Sequence, residues 1–340
     1  MKTTDVAGRI RPPRSIGLMG WIGVGVLLVM LLLCVLSLPW TLSRVDDGTL
    51  NGPRRFEAAQ PRLALLPPTW AAYTDEEQAA VQAEGGGFFF IFGTDRLGRD
   101  LFVRVLAGGG ISLVIGIAAA ATALFIGTLW GTCAGWAGGR VDSVMMRIVD
   151  VFYGLPAILL VVLVAVAVDG MRENWVQGSG AGMGPDVGLL INCLTLWVAI
   201  AAISWLTIAR VVRGQVLSLR TRPFMEACRA IGVPRRRQFL RHLLPNLAGP
   251  IIVYATLTVP MAILAEAFLS FLGIGVREPL PSWGNLAADG LTEINTVRSR
   301  WWIILWPCIF IALTLVALNC MGEWLRLAVD PRQRSRQAAA

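Results

Sequence analysis

The sequence contains one histidine, His242, one lysine, Lys2, and no cysteine pair spaced CxxC. Each scarcity removes a class of chemistry. A P-loop needs a lysine directly after its glycine-rich turn to reach the nucleotide phosphates. No lysine follows such a turn here, so the chain cannot hydrolyse ATP by that route. A single imidazole cannot furnish the paired histidines of a metalloprotease helix. The six cysteines stand singly at Cys34, Cys133, Cys193, Cys228, Cys308 and Cys320. All but Cys228 fall in or beside apolar runs, where a thiol serves as a small packing group, and no disulfide framework is implied. Charge is scarce as well. Only 15% of residues are Asp, Glu, Lys or Arg, against about 25% in a soluble domain.

Apolar residues fill the space that charge leaves. They make up 55% of the chain, the mean hydropathy is +0.63, and they come in runs near the roughly 20 residues that cross a bilayer. The composition predicts an all-α integral membrane protein. A first run, Ile16 to Leu38, follows a basic N-terminus. It exceeds the about 7–15 apolar residues of a signal peptide and reads as a first transmembrane helix, with residues 1–38 as one unit. Residues 39–104 are polar, Pro-punctuated and acid-leaning, and read as an external segment. A core over residues 105–323 then carries five more spans, at about 111–130, 147–168, 187–209, 247–272 and 301–321, with a long polar loop at 210–246. Pro156 is expected to kink the third span. Trp301, Trp302 and Trp306 suit an interfacial aromatic belt on the sixth. Residues 324–340 form a basic tail.

Charge orients these six spans. The N-terminus, the turn near Gly138, the 210–246 loop and the tail hold 19 of the 30 Lys and Arg but six of the 22 acids. Positive charge gathers on the cytoplasmic side of a membrane protein, so both termini and the loop are expected there. That placement assigns the net charge of +8 to membrane topology and not to nucleic acid.

The polar loop is the most structured-looking stretch outside the spans. Pro223 suits a first helical position, Glu226 suits the positive end of a helix dipole, and Gly232 suits a left-handed C′ residue, with Pro234 beyond it. A second short helix is expected from about Pro234 to Leu244, stopped by Pro245. Phe224, Ala227 and Ala230 with Ile231 recur at helical spacing and predict an apolar ridge. The order Glu226-Ala227-Cys228, Gly232, Leu244-Pro245-Asn246 resembles the EAA loop of bacterial ABC importer permeases. His242 before the Leu-Pro pair resembles the dipeptide, oligopeptide and nickel branch. The resemblance implies a type I importer transmembrane fold and a coupling helix docked on an ATPase, through Phe224, Glu226, Ala227, Cys228, Ala230, Gly232 and Pro245.

Two further stretches carry the same resemblance. Gly93, Thr94, Asp95, Gly98, Arg99 and Asp100 form a GTDxxGRD sequence similar to that preceding the second span in C-type subunits. Thr94 or Asp95 is expected to cap a surface helix over Leu97 to Leu106. Asp95 and Asp100 read as caps and surface charges more readily than as a catalytic pair. Pro281, Trp283 and Gly284 belong to a Pro-Ser-Trp-Gly-Asn run that reads as an external turn, with contact to a binding protein in view.

Glu266 is an intramembrane carboxylate, which must face a partner or a wet path. It reads as a bundle lock, with a substrate or proton site as the rival. Asn192 and Asn319 carry the same ambiguity. The family resemblance implies an ATP-driven import permease for peptides or similar small solutes in a bacterial inner membrane. Its partners would be a homologous second permease, two ATP-binding subunits, an external solute-binding protein and the lipid bilayer. ATP and Mg would sit on the ATP-binding subunits, with no cofactor, metal or catalytic residue on this chain. The alternatives are a secondary transporter that uses Glu266 as its coupling-ion site, and a scaffold that recruits an ATPase.

Overall fold

The computed structural model describes residues 14–45, 52–85, 87–179, 185–294 and 299–329. The expected basic N-terminus and most of the basic tail lie outside those residues. The described chain is helical, without a β-strand. In order come α1 (Arg14–Thr41), α2 (Asp75–Ala83), α3 (Leu101–Ala137), α4 (Gly139–Tyr153), α5 (Ala157–Ser179) and α6 (Pro185–Arg220). They are followed by α7 (Pro223–Ala230), α8 (Arg235–Arg237), a π turn (Gln238–Leu243), α9 (Leu244–Phe271), α10 (Trp283–Thr292) and α11 (Trp301–Val329). Among the described residues, five helices are long and apolar enough to cross a membrane, or six if the bent pair α4–α5 is one span.

The sequence of α3 explains its central position. It is 37 residues long and carries small residues where neighbours approach. A Cβ at Gly127, Gly131 or Gly135 would overlap Ile208, the Ala209 carbonyl or Val216 of α6. The four-residue spacing of these glycines draws a seam along which two backbones can close. Gly116 admits Ile263 of α9 in the same way, and Gly109 admits the Trp283 indole. Helix α1 packs on α11 and α3, outside this core.

Several boundaries differ from expectation, each for a local reason. No separate surface helix spans Leu97 to Leu106. Asp100 is the N-cap, accepting a hydrogen bond from the Phe102 amide at 2.9 Å, and α3 starts at Leu101. The third span is not one kinked helix: α4 and α5 meet at 88°. Pro156 lacks an amide hydrogen, and it also drives the residue before it out of helical geometry. The α5 helix continues to Ser179 and α6 to Arg220, beyond the expected ends at Val168 and Ala209. Pro245 stops nothing: it follows directly on the π turn, a local break in the regular i→i−4 ladder at which a missing N–H is accommodated. Arg235–Phe271 is therefore one uninterrupted helical run.

The Pro281–Asn285 run is not a turn. Ser282 caps α10 through a reciprocal box with Asn285, and Trp283 is fully buried with its Nε1 donating to the Val105 carbonyl at 3.0 Å. Gly284 lies against the Ala267 carbonyl of α9. That packing predicts the effect of one added methyl. Gly284→Ala should destabilise the protein by about 1–3 kcal/mol through overpacking, whereas Gly188→Ala, in open space, should not. Thermal unfolding of the two variants in the same detergent checks this; equal unfolding temperatures would contradict the packing.

Candidate functional site: a coupling knob, a groove and two polar knots

Helix α7 forms as its sequence requires. Arg222 adopts extended N-cap geometry, Pro223 begins the helix, and Ile231 closes it. Gly232 follows with φ +74°, which a side chain bearing a Cβ disfavours. The Val233 amide then reaches back to the Cys228 carbonyl at 2.9 Å, a Schellman-type closure. One face of α7 turns inward: Met225 and Cys228 are buried, and Phe224 packs on a cluster containing Leu219, Leu243 and Leu247. The opposite face presents Glu226, Ala227 and Ala230, with Ile231 78% exposed beside them. Of the expected docking residues, Cys228 thus faces the body of the protein, Phe224 is half-buried, and Pro245 is exposed on α9.

Arginines hold the same end of the bundle together. Arg213 clasps Asp142 of α4 through two bonds of 2.5 and 2.7 Å. Arg220 donates to the Gly135 carbonyl at 2.6 Å, and Arg210 lies 4.0 Å from the Tyr153 ring centre. Gln238, in the π turn, donates to the Val233 carbonyl at 2.6 Å. Arg213 and Arg220 thus fasten the end of α6, from which the knob extends, to α4 and α3, and Gln238 ties the loop that closes the knob to the base of α9.

A groove runs along α6 and α9. Its membrane-level part, about 450 Å³, lies between α5, α6 and α9 and is apolar except for Ser204, Thr207, Tyr254 and Thr258. A second cavity of about 520 Å³ shares Tyr254 and Leu257 with it and ends among Gln215, Arg222, Asn246 and Arg326. The two cavities adjoin at Tyr254 and Leu257, the first apolar and the second carrying Arg222 and Arg326 beside α7. The residues of α6 that line it, including Thr207, Val211 and Gln215, form a stripe beside the one packed on α3, with Ile208 shared by both. These hydroxyls were not singled out from the sequence. Their signal was a helical spacing, Ser204 to Thr207 and Tyr254 to Thr258, inside otherwise apolar spans.

Glu266 does not line the groove. It is fully buried, accepting a hydrogen bond from Ser270 Oγ at 2.8 Å, with the Ser112 and Ser282 hydroxyls facing it. Ser270 in turn accepts from the Val276 amide, and the Trp283 amide donates to Ser112 at 3.3 Å. This knot ties α3, α9 and α10 together. Asn192 accepts from the Arg277 amide at 3.2 Å, outside the groove. Asn319 is exposed on α11 and does not bridge helices of this chain as expected.

The GTDxxGRD stretch makes a second knot on the opposite side from α7. Thr94 Oγ1 donates to the Leu63 carbonyl and accepts from the Leu66 amide, at 2.6 and 2.8 Å. Gly93 and Gly98 have positive φ and abut the Leu66 and Gln60 carbonyls. Asp95 is buried and not a surface charge: it accepts from the Arg99 amide and Nε and pairs with Arg104. Arg99 and Arg104 also reach Glu278, at 3.1 and 3.4 Å, binding this segment to the loop after α9. Burial pushes the Asp95 carboxyl up, but Arg104 and Arg99 outweigh it and hold it below the ordinary value of 3.8. Glu278 is held low by the same arginines against its own burial. Burial raises Asp100, the helix cap, to about 6.

Comparison with known proteins places this architecture. Residues 124–335 match the family described as binding-protein-dependent transport system inner membrane component. The dipeptide transport system permease protein DppC of Bacillus subtilis is 44% identical over 243 residues, 72% of this chain and 69% of that one. The oligopeptide transport system permease protein OppC of Escherichia coli K12 is 42% identical over 267 residues, 77% and 80% of the two chains. A solved structure of the MetNI methionine ABC transporter in an inward-facing conformation shares the fold. Its TM-score is 0.51 at 16% identity, covering 68% of this chain and 98% of that one.

The Asp95 knot makes a signed prediction. A carboxylate with a depressed folded pKa stabilises the fold above its ordinary pKa, and the contribution fades as pH falls through the folded value. Asp95→Asn leaves two buried arginines short of a counter-charge and should cost about 3–5 kcal/mol at neutral pH. The gap to the native chain should narrow below pH 3.8. Unfolding temperatures measured across pH test it; a gap independent of pH would refute the ionic role.

Proposed function

The chain belongs to the family of binding-protein-dependent transport system inner membrane components and is a permease subunit of such an importer, and we propose that it forms half of a path for peptides or similar small solutes. The names of its dipeptide and oligopeptide relatives support the cargo class. So does the groove, whose hydroxyls and apolar walls suit solutes with amides and varied side chains. The complex we infer contains a homologous second permease, two ATP-binding subunits that hold ATP and Mg, and an external solute-binding protein. Both termini and α7 face the cytoplasm in this reading, supported by the placement of arginine.

The observation that carries the mechanism is the physical link between knob and groove. Helix α7 is bonded to the base of the Arg235–Phe271 rod, and that rod walls the groove. An ATP-binding subunit seated on Ala227, Ala230 and Ile231 would move the wall as it moves the knob. A few buried apolar anchors carry most of the affinity in such a contact. The test is uptake of a labelled peptide by proteoliposomes holding the whole complex. Uptake that needs no ATP-binding subunits and follows an ion gradient would overturn the proposal.

Two outcomes follow for the knob. Ile231→Asp should reduce retention of the ATP-binding subunits on purification by about tenfold or more. Gly232→Pro demands a φ near −65° where the chain has +74°, and it deletes the amide bonded to the Arg229 carbonyl. It should leave the protein in the membrane while abolishing ATP-driven uptake; undiminished uptake would count against coupling through α7.

A further outcome separates import driven by ATP from an ion-coupled carrier. Glu266→Gln keeps an acceptor for Ser270 and should retain ATP-dependent uptake. Its collapse, with the complex still assembled, would favour an ion site at Glu266.

A further inference from the structure

An exposed apolar stripe lies on the external segment, its outer side uncovered by the described residues. Residues 87–92, Gly-Phe-Phe-Phe-Ile-Phe, run beside Thr69 and Trp70 and bend at Ile91 and Phe92, with the Thr69 amide donating to the Phe90 carbonyl at 2.9 Å. Alternation sends their side chains to two faces. Phe88, Phe90 and Phe92 turn inward, Phe90 onto Leu63 and Leu66, and Phe92 onto the Trp306 ring at 3.9 Å. Phe89 and Ile91 turn outward and are 73% and 37% exposed. Trp70, 61% exposed, donates its Nε1 to the Ile91 carbonyl and extends the stripe. A segment apolar on both sides needs two apolar environments, and the described residues supply one.

The depth of the stripe identifies the other. The Trp70 ring lies 6.0 Å from that of Trp301, the first residue of the α11 span. Trp306, against which Phe92 stacks, is five residues further along α11, roughly 7 Å deeper at the helical rise. The segment therefore lies level with the first two turns of the apolar helix α11, with Trp70 of the stripe against Trp301. Indoles with one polar edge and one apolar body favour that level. We infer that Phe89, Ile91, Trp70 and Trp301 form an interfacial anchor, seated in the headgroup–acyl boundary of the leaflet opposite the coupling knob. The external segment lies down on the membrane at this edge.

Replacing Phe89 with the photo-crosslinker p-benzoylphenylalanine in the full chain, within its assembled complex in native membranes, tests the anchor. The same replacement at Trp301 and at exposed Ala79 of α2 supplies the references. Irradiation followed by mass analysis should give phospholipid adducts at position 89 comparable to those at 301 and several-fold above those at 79. Polypeptide adducts at 89, from a binding protein or a second permease, would overturn the assignment. Adducts at 301 with none at 89 would overturn it equally. Because Phe89 points away from the segment's own core, its replacement should leave folding intact, which lipid adducts at 301 in the same preparation would report.

Discussion

Close approach of α3 to α6 and α9 is the constraint on which the structure rests. Lipid chains are as apolar as leucine, so spans gain little by burying apolar surface against each other and rely on contact distance. The glycines at 127, 131 and 135 provide that distance, and any side chain there would strike α6. Once α3 and α6 are in contact, α9 fits against Gly116 and the Trp283 indole fills the space at Gly109. The neighbouring stripe of α6, from Ser204 through Thr207 and Val211, is thereby left to line the groove.

Polar knots at the two ends complement this apolar seam. At the coupling end, Arg213 and Arg220 fasten α6 to Asp142 and to the Gly135 carbonyl. At the other end, Glu266 with its serines and Asp95 with its arginines fasten α9 and α10 to the start of α3. Groups buried this deeply are costly unless bonded, and here the bonds link elements far apart in the chain. Polar atoms thus supply the directional contacts that dispersion between spans cannot.

What the sequence disclosed, and what it hid, divides by range. Pro223 and Gly232 declared the ends of α7, because capping is decided within a few residues. The apolar runs likewise declared the spans. Trp283 read as part of a turn because Pro281 and Gly284 are turn residues, yet its place is fixed by Val105, 178 positions away. Asp95 read as a surface cap because its arginines, though near in sequence, meet it only once α3 has started at Leu101. Pro156 and Pro245 carry the same local signal with opposite results. One interrupts a helix in mid-course, and the other follows directly on the π turn, where the hydrogen-bond ladder is already irregular and its missing N–H is tolerated.

The unbroken helical run from Arg235 to Phe271 has a consequence for how motion spreads. Followed along its axis at about 1.5 Å per residue it is roughly 55 Å long, with a π turn, Pro250 and Pro260 within it, and it is gripped near its far end where Glu266 and Ser270 meet α3 and α10. A lever gripped at one end swings most at the other. Thrust on the knob would therefore be spent chiefly at the arginine-lined mouth and hardly at all near Glu266, so that the groove would gape like a hinged jaw and not slide open along its length.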